Sequence, residues 1–417
     1  MELNEKNKIM TLVSTSLSAL ILTATLNVAS VSAAAGQVSR TSGASRYETA
    51  AQVALNNWTT SDNIVLVCGE GYADAVSAST LAKKLDAPIL LTEAASLSAP
   101  TEDALSKLKT KNIYIIGGYA SVSKEVRDSL KDTYKLIELG GSNRYETNTA
   151  VAEELVGLGV DPSNAMLVGG NGFSDALSAA PIAAAKGQIL LLGMNDPVSI
   201  KPVTDFIAKY ESQVTVAATT NVINNDIFTA VNGVARVNGG SDRFDTNLKV
   251  LNSFKADLKF DKAYIANASG NGYADALVAS SLAAKSSAPL LLVDTENSDA
   301  TSNAIAYLKS NITSTIDIQV IGGTSVVSGN VVDKINALFT PNTSTLPKVT
   351  IEQVGTAILG KTVVIASFPS DVDATEYDVT IDGQSFTYDT STKKLVLVLN
   401  GTFTEEQLQA KVVVSKK

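Results

Sequence analysis

One block of sequence occurs three times in this chain at a spacing of about 100 residues, and this repetition constrains the fold more than any other feature. The block reads Gly-Ala-Ser-Arg-Tyr-Glu-Thr at 43–49, Gly-Ser-Asn-Arg-Tyr-Glu-Thr at 141–147 and Gly-Ser-Asp-Arg-Phe-Asp-Thr at 240–246. A period close to the usual size of a domain predicts three tandem copies of one module.

Three further blocks keep the same order and period. Gly-Tyr-Ala-Asp-Ala-Val at 71–76 matches 172–177 and 272–277, and Ile-Leu-Leu at 89–91 matches apolar runs at 189–191 and 290–292. Ile-Gly-Gly at 116–118 returns at 321–323, whereas the second copy has Ala217-Ala218 there. Four blocks in one register leave little room for chance.

Each copy alternates helical and short apolar segments. In the first copy, the pattern predicts helices near 46–57, 74–85 and 100–109, and a short helix after Ser123. It predicts strands near 64–68, 89–92, 113–116 and 136–139. Because continuously apolar strands separated by helices are typical of buried parallel sheets, we expect three small α/β modules.

The segments that flank the repeats differ in composition. Lys6 and Lys8 precede an apolar stretch that ends in small residues, which predicts a signal peptide at 1–35; a retained membrane anchor is the alternative. We assign the repeats to 36–139, 140–238 and 239–340, and a linker to 341–347. Alternating apolar residues and the Asp382-Gly383 turn predict a small all-β, immunoglobulin-like domain at 348–417.

Composition narrows the classes of function. A net charge of −9 argues against nucleic-acid binding, which needs a basic face. The chain has no histidine and a single cysteine, Cys68, so it lacks the usual general base, metal ligands and internal disulfide. We therefore expect no enzymatic activity, no metal and no cofactor.

The first block has one residue that a helix start does not explain. Ser45, Asn143 and Asp242 are suitable N-cap residues, and an acidic residue stands three positions later in each copy. Arg46, Arg144 and Arg243 would lie in the first helical turn, where the helix dipole disfavours a cation. Each arginine is either buried against a carboxylate of its own module or directed at an external anion.

Other repeated polar residues stand where strands end. Each alanine-rich helix is preceded by an aspartate, namely Asp74, Asp175 and Asp275. Each aspartate is an N-cap, a partner of the arginine or a contact for a ligand. The pairs Gly117-Gly118 and Gly322-Gly323 would let a ligand or another backbone approach closely. Ligands of open α/β sheets gather at this edge of the sheet.

Together these blocks resemble the clostridial cell wall-binding repeat 2 family over residues ~38 to ~340. The resemblance implies Toprim-like modules in a pseudo-threefold arrangement and non-covalent attachment to an anionic polysaccharide of the Gram-positive wall. It also implies a separate domain for any special activity. The second copy departs from the family pattern at Ala217-Ala218.

The expected function is therefore anchoring of a secreted protein at the cell wall, with the C-terminal β domain as an adhesive, spacer or assembly module. After removal of the signal peptide we expect no membrane association. The alternatives are an autolysin-like wall enzyme and a lattice-forming surface-layer protein, which would have surface-layer proteins as partners. The candidate polymer-binding residues are Arg46, Arg144, Arg243, Asp74, Asp175, Asp275, Gly117, Gly118, Gly322 and Gly323.

Overall fold

A computed structural model describes residues 38–71, 74–270, 272–312, 315–339, 346–358, 360–370 and 372–416. The predicted signal peptide at 1–35 and residues 341–345 of the predicted linker lie outside these ranges. Within them, no helix combines the length and the apolar character needed to cross a membrane.

The first copy alternates strands and helices as its sequence predicts. It begins with a short strand, β1 (Val38–Thr41). Its elements are α1 (Arg46–Asn57), β2 (Asn63–Cys68), α2 (Ala78–Leu85), β3 (Ile89–Thr92), α3 (Ala99–Lys107), β4 (Asn112–Ile116), α4 (Lys124–Leu130) and β5 (Lys135–Leu139).

The other two copies repeat this order. The second contains α5 (Arg144–Gly157), β6 (Asn164–Gly169), α6 (Ser174–Ala185), β7 (Ile189–Gly193), α7 (Lys201–Tyr210), β8 (Gln213–Ala217), α8 (Asn225–Ala230) and β9 (Gly233–Val237). The third contains α9 (Arg243–Ser253), β10 (Lys262–Asn267), α10 (Tyr273–Ser286), β11 (Leu290–Val293), α11 (Asp299–Asn311), β12 (Asp317–Ile321) and α12 (Gly329–Asn336).

Each copy forms one parallel sheet of four strands, and the fourth strand of the third sheet is β1, from the beginning of the repeat region. The strand orders are β3-β2-β4-β5, β7-β6-β8-β9 and β11-β10-β12-β1. β1 pairs with β12 from Val38 opposite Ile318 to Thr41 opposite Ile321. The beginning and end of the repeat region are therefore joined, and the three modules form a closed ring.

An arginine completes the carboxyl edge of each sheet, but not always from the same element. Arg40 on β1 donates to the carbonyls of Gly322 (2.6 Å) and Val327 (2.8 Å), and Arg236 on β9 donates to that of Ala218 (3.1 Å). In the first sheet the same strand position holds Glu138. There Arg127 of α4 donates to Gly117 O (2.7 Å) and pairs with Glu138 (2.5 Å). A guanidinium group therefore binds this carbonyl in all three sheets, but in the first it comes from a helix instead of a strand.

The alanine-rich helices α2, α6 and α10 pack on one another at the centre of the ring. α10 buries every residue from Tyr273 to Ala284. The hydroxyls of Ser79 and Ser280 lie 2.6 Å apart, and the amide of Asn148 donates to Ser77 Oγ at 3.0 Å across the boundary between the first two copies. Small side chains allow the three helices to approach closely, and one continuous hydrophobic core spans all three copies.

Buried asparagine side chains form hydrogen bonds with the backbone groups of the edge strand in two of the sheets. Asn148 donates to Leu190 O and accepts from Leu192 N, both at 2.9 Å. Asn247 forms the equivalent pair with Leu290 O and Leu292 N, both at 3.0 Å. Each side-chain amide thus takes the place of a neighbouring strand, as buried backbone groups require. Ala50 stands at this position in the first copy.

The strand pairing corrects the alignment of the second copy. Val65 pairs with Ile89 in the first sheet, and the equivalent Met166 pairs with Leu190. The run at 89–91 therefore corresponds to 190–192, one residue later than its sequence suggested. A longer apolar run in the second copy hides this shift, because every residue in it satisfies the same hydrophobic pattern.

The C-terminal region is an antiparallel β structure, as predicted. Its elements are β13 (Thr350–Ile358), β14 (Lys361–Ser367), β15 (Tyr377–Ile381), β16 (Gln384–Ser385), β17 (Thr387–Asp389), β18 (Lys394–Asn400), α13 (Glu405–Gln409) and β19 (Val412–Lys416). They form sheets of order β13-β14-β18-β17 and β16-β15-β19 around a core of their own. Positive φ angles at Asp382 (48°) and Gly383 (77°) confirm the predicted hairpin turn.

Replacement of Asn148 by alanine leaves a buried carbonyl and a buried amide of β7 without their partner. We expect Asn148→Ala to lower the free energy of unfolding by about 1–3 kcal/mol, the usual cost of an unsatisfied buried group. Urea unfolding followed by circular dichroism measures this change. Asn252→Ala, at an exposed position of α9, is the matched control and should change stability by less than about 0.5 kcal/mol. Equal stability of the two variants would contradict the edge-capping role.

Candidate functional site

The first repeated block builds a helix start in all three copies. The side chains of Ser45, Asn143 and Asp242 accept hydrogen bonds from first-turn amides, which confirms the predicted N-caps. The acidic residue three positions later accepts a hydrogen bond from the backbone amide just before the N-cap residue. In the first copy Ala44 N donates to Glu48 Oε2 at 2.7 Å. This arrangement is a variant of the capping box, because the bonded amide precedes the N-cap residue.

The glycine and threonine of the block belong to the same turn. Gly43 N donates to Thr49 Oγ1 at 3.0 Å, and the other copies repeat this bond at 3.2 Å and 2.8 Å. A Cβ atom on Gly43 would lie 2.5 Å from Glu48 Cβ, so a larger residue would displace the returning carboxylate. The glycine, the N-cap residue, the acidic residue and the threonine of the pattern therefore all stabilise this turn.

The arginines contact backbone carbonyls where the central strands end. Arg144 Nη1 donates to Gly170 O at 2.5 Å and Arg243 Nη1 to Ala268 O at 2.6 Å, and Arg46 forms the same bond with Gly69 O. The partner inside the module is thus a carbonyl, and not the carboxylate that was one of the two alternatives from the sequence. All three side chains remain half-buried.

Two of these arginines also reach the preceding module. Arg46 lies over the ring of Tyr273, 5.7 Å from its centroid, and Arg243 lies over Phe173 at 4.4 Å. The rings of Phe173 and Tyr273 are 5.2 Å apart. Two aromatic rings between two guanidinium groups therefore join all three copies near the start of the central helices. Cation–π contact of this kind holds the guanidinium planes in place.

The side chains of the repeated aspartates do not cap the helices, so this one of the three roles considered for them is wrong. Asp74 makes no capping hydrogen bond, while Asp175 and Asp275 lie inside the first turns of α6 and α10. Asp74 instead accepts from Ser121 Oγ at 2.5 Å. Asp275 accepts from the Thr49 hydroxyl and faces the Arg46 charge, both from the first copy. Attraction between this aspartate and an arginine of the repeated block therefore acts across a module boundary.

Burial makes two of these carboxyls weak acids. Desolvation raises the pKa of Asp275 to about 6, although Arg46 and Thr49 oppose the shift. Desolvation likewise raises the pKa of Asp175 to about 6, against a hydrogen bond from the Gly169 backbone. Both side chains are less than a tenth exposed. Loss of hydration disfavours the charged form more than these partners favour it.

The first glycine of each pair lies against the aspartate of its own copy, a contact that the sequence analysis did not predict. Gly117 and Gly322 both have φ of +117°, and a Cβ atom there would lie 2.8 Å and 2.7 Å from Oδ2 of Asp74 and Asp275. The second glycines have different surroundings: a Cβ on Gly118 would lie 3.1 Å from Gly141 O of the next copy, whereas one on Gly323 would approach nothing closer than 3.8 Å.

The second copy differs in this turn, and its alignment needs correction. Ala217 is the last residue of β8, so the pair equivalent to Gly117-Gly118 is Ala218-Thr219 rather than Ala217-Ala218. Val222 stands close to Gly169, at the position that Ser121 holds in the first copy. The carboxyl edge of this sheet therefore presents an apolar side chain where the first copy offers a hydroxyl.

A cavity of about 600 Å³ opens between the third and first modules. It is lined by the first turn of α1 and by the loops that follow β10, β11 and β12. Its charged lining residues are Arg46, Asp275, Asp294 and Glu296. Carboxylates that accept, an arginine that donates and several hydroxyls form a set suited to the hydroxyl groups of a sugar. Three carboxylates against one arginine are less suited to a bare anion.

Sequence reasoning missed several residues of this cavity and the two aromatic rings that contact the arginines. Asp294 and Glu296 follow a buried strand, so the rule that ligands gather at strand ends could have singled them out. Phe173 and Tyr273 occupy the repeated aromatic position next to the candidate aspartates, which was visible in the alignment. Thr49 was visible too, but its contact with Asp275 depends on how the modules pack.

Stability should fall as pH rises through the window in which Asp275 ionises. Its folded pKa of about 6 exceeds the unfolded value of 3.8, so the native state holds its proton longer than the unfolded chain. The contribution lost between about pH 4 and pH 6 amounts to about 2–3 kcal/mol. Asp275→Asn removes this pH-dependent contribution. In urea unfolding, the free energy of unfolding of the variant minus that of the wild type should therefore rise by this amount from about pH 4 to about pH 7.

The control is Asp161→Asn, since hydrogen bonds from the backbone and hydroxyl of Ser163 lower the pKa of this exposed carboxyl. Its stabilising contribution is lost only as the pH falls below about 4, so this variant should nearly parallel the wild type from about pH 4 to about pH 7. An Asp275→Asn variant that parallels the wild type at every pH would contradict the raised pKa.

Comparison with known proteins gives this architecture a family. The family model of Cell wall binding domain 2 (CWB2) matches residues 40–127, 138–228 and 237–332. The chain is 32% identical over 294 residues to the amidase enhancer of Bacillus subtilis (strain 168), a match that covers 70% of this chain and 39% of that protein. It is 31% identical over 301 residues to the N-acetylmuramoyl-L-alanine amidase LytC of the same organism, covering 72% and 58%. The chain thus spans only part of the length of either relative.

Solved structures agree. Cwp6 from Clostridium difficile superposes with a TM-score of 0.66 at 26% identity, over 74% of this chain and 48% of that one. Cwp8 from Clostridium difficile gives 0.63 at 27% identity, over 73% and 52%. Since the three matched copies cover more than half of its residues, the chain belongs to the cell wall binding domain 2 family.

Proposed function

We propose that the three modules anchor the chain non-covalently to an anionic polysaccharide of the Gram-positive cell wall. The observation that carries the proposal is the closed ring of three wall-binding modules, joined by β1 and by the central helices. Three weak sites on one rigid body can engage successive units of a repeating polymer. Each further contact is then intramolecular, so overall affinity greatly exceeds that of one site.

In this proposal the polymer lies along the carboxyl edges of the sheets. The half-buried arginines (Arg46, Arg144 and Arg243) offer N–H donors beside Asp74, Asp175 and Asp275. In the cavity between the third and first modules, Asp275, Asp294 and Glu296 would accept hydrogen bonds from sugar hydroxyls, while Arg46 would donate. Gly117, Gly118, Gly322 and Gly323 keep the turns free of side chains that would obstruct the polymer. The second copy, which has Ala218-Thr219 in place of a glycine pair, would contribute least.

We further propose that the chain acts as a binding protein at the cell surface after secretion, and not as an enzyme. Its matches to an amidase and an amidase enhancer extend over about 300 residues, roughly the size of three modules. The shared part is therefore the binding region. The C-terminal β structure would serve as an adhesive, spacer or assembly module, since the cross-strand pair Val363 and Val398 is 39% and 49% exposed on its outer face.

Retention on purified Gram-positive cell walls tests the anchoring. We expect the triple variant Arg46→Ala, Arg144→Ala and Arg243→Ala to bind about tenfold or more weakly than the wild type. Each single variant should lose less, because the remaining sites hold the polymer. The readout is the fraction of protein that sediments with the walls over a range of wall concentrations.

Lys309→Ala removes a positive charge at an exposed position of α11 and is the matched control. Circular dichroism and unfolding curves establish that each variant is folded. Undiminished retention of a folded triple variant would limit the arginines to a structural role. Failure of the wild type to sediment with walls from several Gram-positive species would overturn the anchoring itself.

A further inference from the structure

Five lysines gather at the end of the ring opposite the candidate site, where the three central helices finish. Lys83 and Lys84 lie in the last turn of α2, Lys285 in the last turn of α10, and Lys186 directly follows α6. Lys259 joins them, since its backbone amide donates to Ser287 O at 2.8 Å, just beyond the end of α10. In a chain of net charge −9, this is a local concentration of positive charge.

Carboxylates neutralise only part of this charge. Lys285 pairs with Asp86 at 2.5 Å and Lys186 with Asp257 at 2.9 Å. Lys83 Nζ donates to the backbone carbonyl of Lys285 at 3.1 Å. Over the described residues, neither Lys83, Lys84 nor Lys259 has a carboxylate within 4.0 Å. Five lysines with two paired aspartates leave an excess of three positive charges.

Three of these lysines surround a cavity. It measures about 350 Å³, opens between the first and second modules, and is lined by Lys83, Lys84 and Lys186 beside Thr80 and Gln188. Its described lining contains no Asp or Glu. The volume lies near the lower end of the range for small-ligand sites, about 300–1,000 Å³, which suits one charged unit of a larger molecule.

The two cavities therefore have opposite electrostatic character. The one at the carboxyl edge sets three carboxylates against Arg46, whereas the lysine cavity has three cations and no anion in its described lining. Lysines at helix C-termini offset the helix dipole, which explains why they are tolerated there. That effect does not explain why the ends of two helices, α2 and α6, bring three lysines together around one cavity.

The surroundings of Lys83 disfavour its positive charge. Burial is the main cause that lowers the pKa of Lys83; Asp86 opposes this shift, and the charges of Lys259 and Lys285 add to it. An anion in the cavity would offset both the desolvation and the repulsion. The site thus favours an oxyanion on electrostatic grounds alone.

We propose that the lysine cavity lined by Lys83, Lys84 and Lys186 is an anion-binding site that takes a phosphate or carboxylate group of the wall polymer. The inference rests on the proposed function for the origin of the anion. It assigns the charged groups of the polymer to the lysine cavity and its sugar hydroxyls to the carboxyl edge. The 14 residues of α10 separate the two levels by about 21 Å along that helix, at 1.5 Å per residue.

Inorganic phosphate tests the site without any wall material. The full chain is unfolded by heat in sodium phosphate and in sodium chloride of equal ionic strength, and the difference in midpoint is recorded. Ligand that binds only the native state raises the midpoint with its concentration. We expect a phosphate-specific rise for the wild type that disappears in the double variant Lys83→Gln and Lys84→Gln.

The matched control is the double variant Lys135→Gln and Lys309→Gln, which removes the same charge at exposed positions away from the cavity. It should keep the phosphate-specific rise, and so should Lys83→Arg with Lys84→Arg, which preserves the charge. A rise that survives in the Lys83→Gln, Lys84→Gln variant, or its absence from the wild type, would overturn the anion site.

Wall retention then identifies the source of the anion. Loss of Lys83 and Lys84 should weaken sedimentation with walls by roughly two- to fivefold for each lysine, and the loss should shrink as salt is added. The expected contrast is weak binding by the double glutamine variant and near-normal binding by the arginine variant. If the wild type binds walls and the double glutamine variant binds them equally well, the assignment of the anion to the wall polymer is overturned, while the anchoring proposal is left intact. Absence of wall binding by every variant and the wild type would refute the anchoring, while the phosphate experiment would still decide the site.

Discussion

The structure depends on close packing of three alanine- and serine-rich helices at the centre of the ring. Each of these helices covers its own sheet with one face and contacts the helices of the other modules with another. α10 therefore buries nearly its whole length, and Ser79 meets Ser280 directly. A larger side chain at such a contact would force the helices apart, because protein interiors leave no spare volume.

This packing makes the modules interdependent. β1 belongs to the third sheet although it lies at the opposite end of the repeat region. Arg46 and Thr49 of the first copy contact Tyr273 and Asp275 of the third, so the cavity at the carboxyl edge belongs to two modules at once. A single module would expose its central helix and lack half of that cavity. Ring closure is thus the condition for both stability and the candidate site.

Local signals in the sequence were sufficient for much of the fold. The N-caps Ser45, Asn143 and Asp242 were identified correctly because capping involves residues only two or three positions apart. The Asp382-Gly383 turn was found for the same reason. Reasoning failed for Asp275: an aspartate before a helix normally suggests a cap, but here packing against Thr49 of another module determined its role. The amphipathic pattern also could not fix the pairing of the long apolar run at 189–193, since every register buries the same kind of side chain.

The sequence and the tertiary structure thus determine different features of the three repeats. By itself, the sequence determined that the chain contains three copies of an α/β module and where most helices and strands lie, because periodicity and capping are properties of neighbouring residues. Only the tertiary structure decided that β1 completes the third sheet, that the arginines bind strand-end carbonyls, and that lysines from separate copies surround one cavity. These features join residues far apart in the chain, and their energies depend on burial and on distances between modules. Such distances are set by how the helices pack, and no local pattern encodes them.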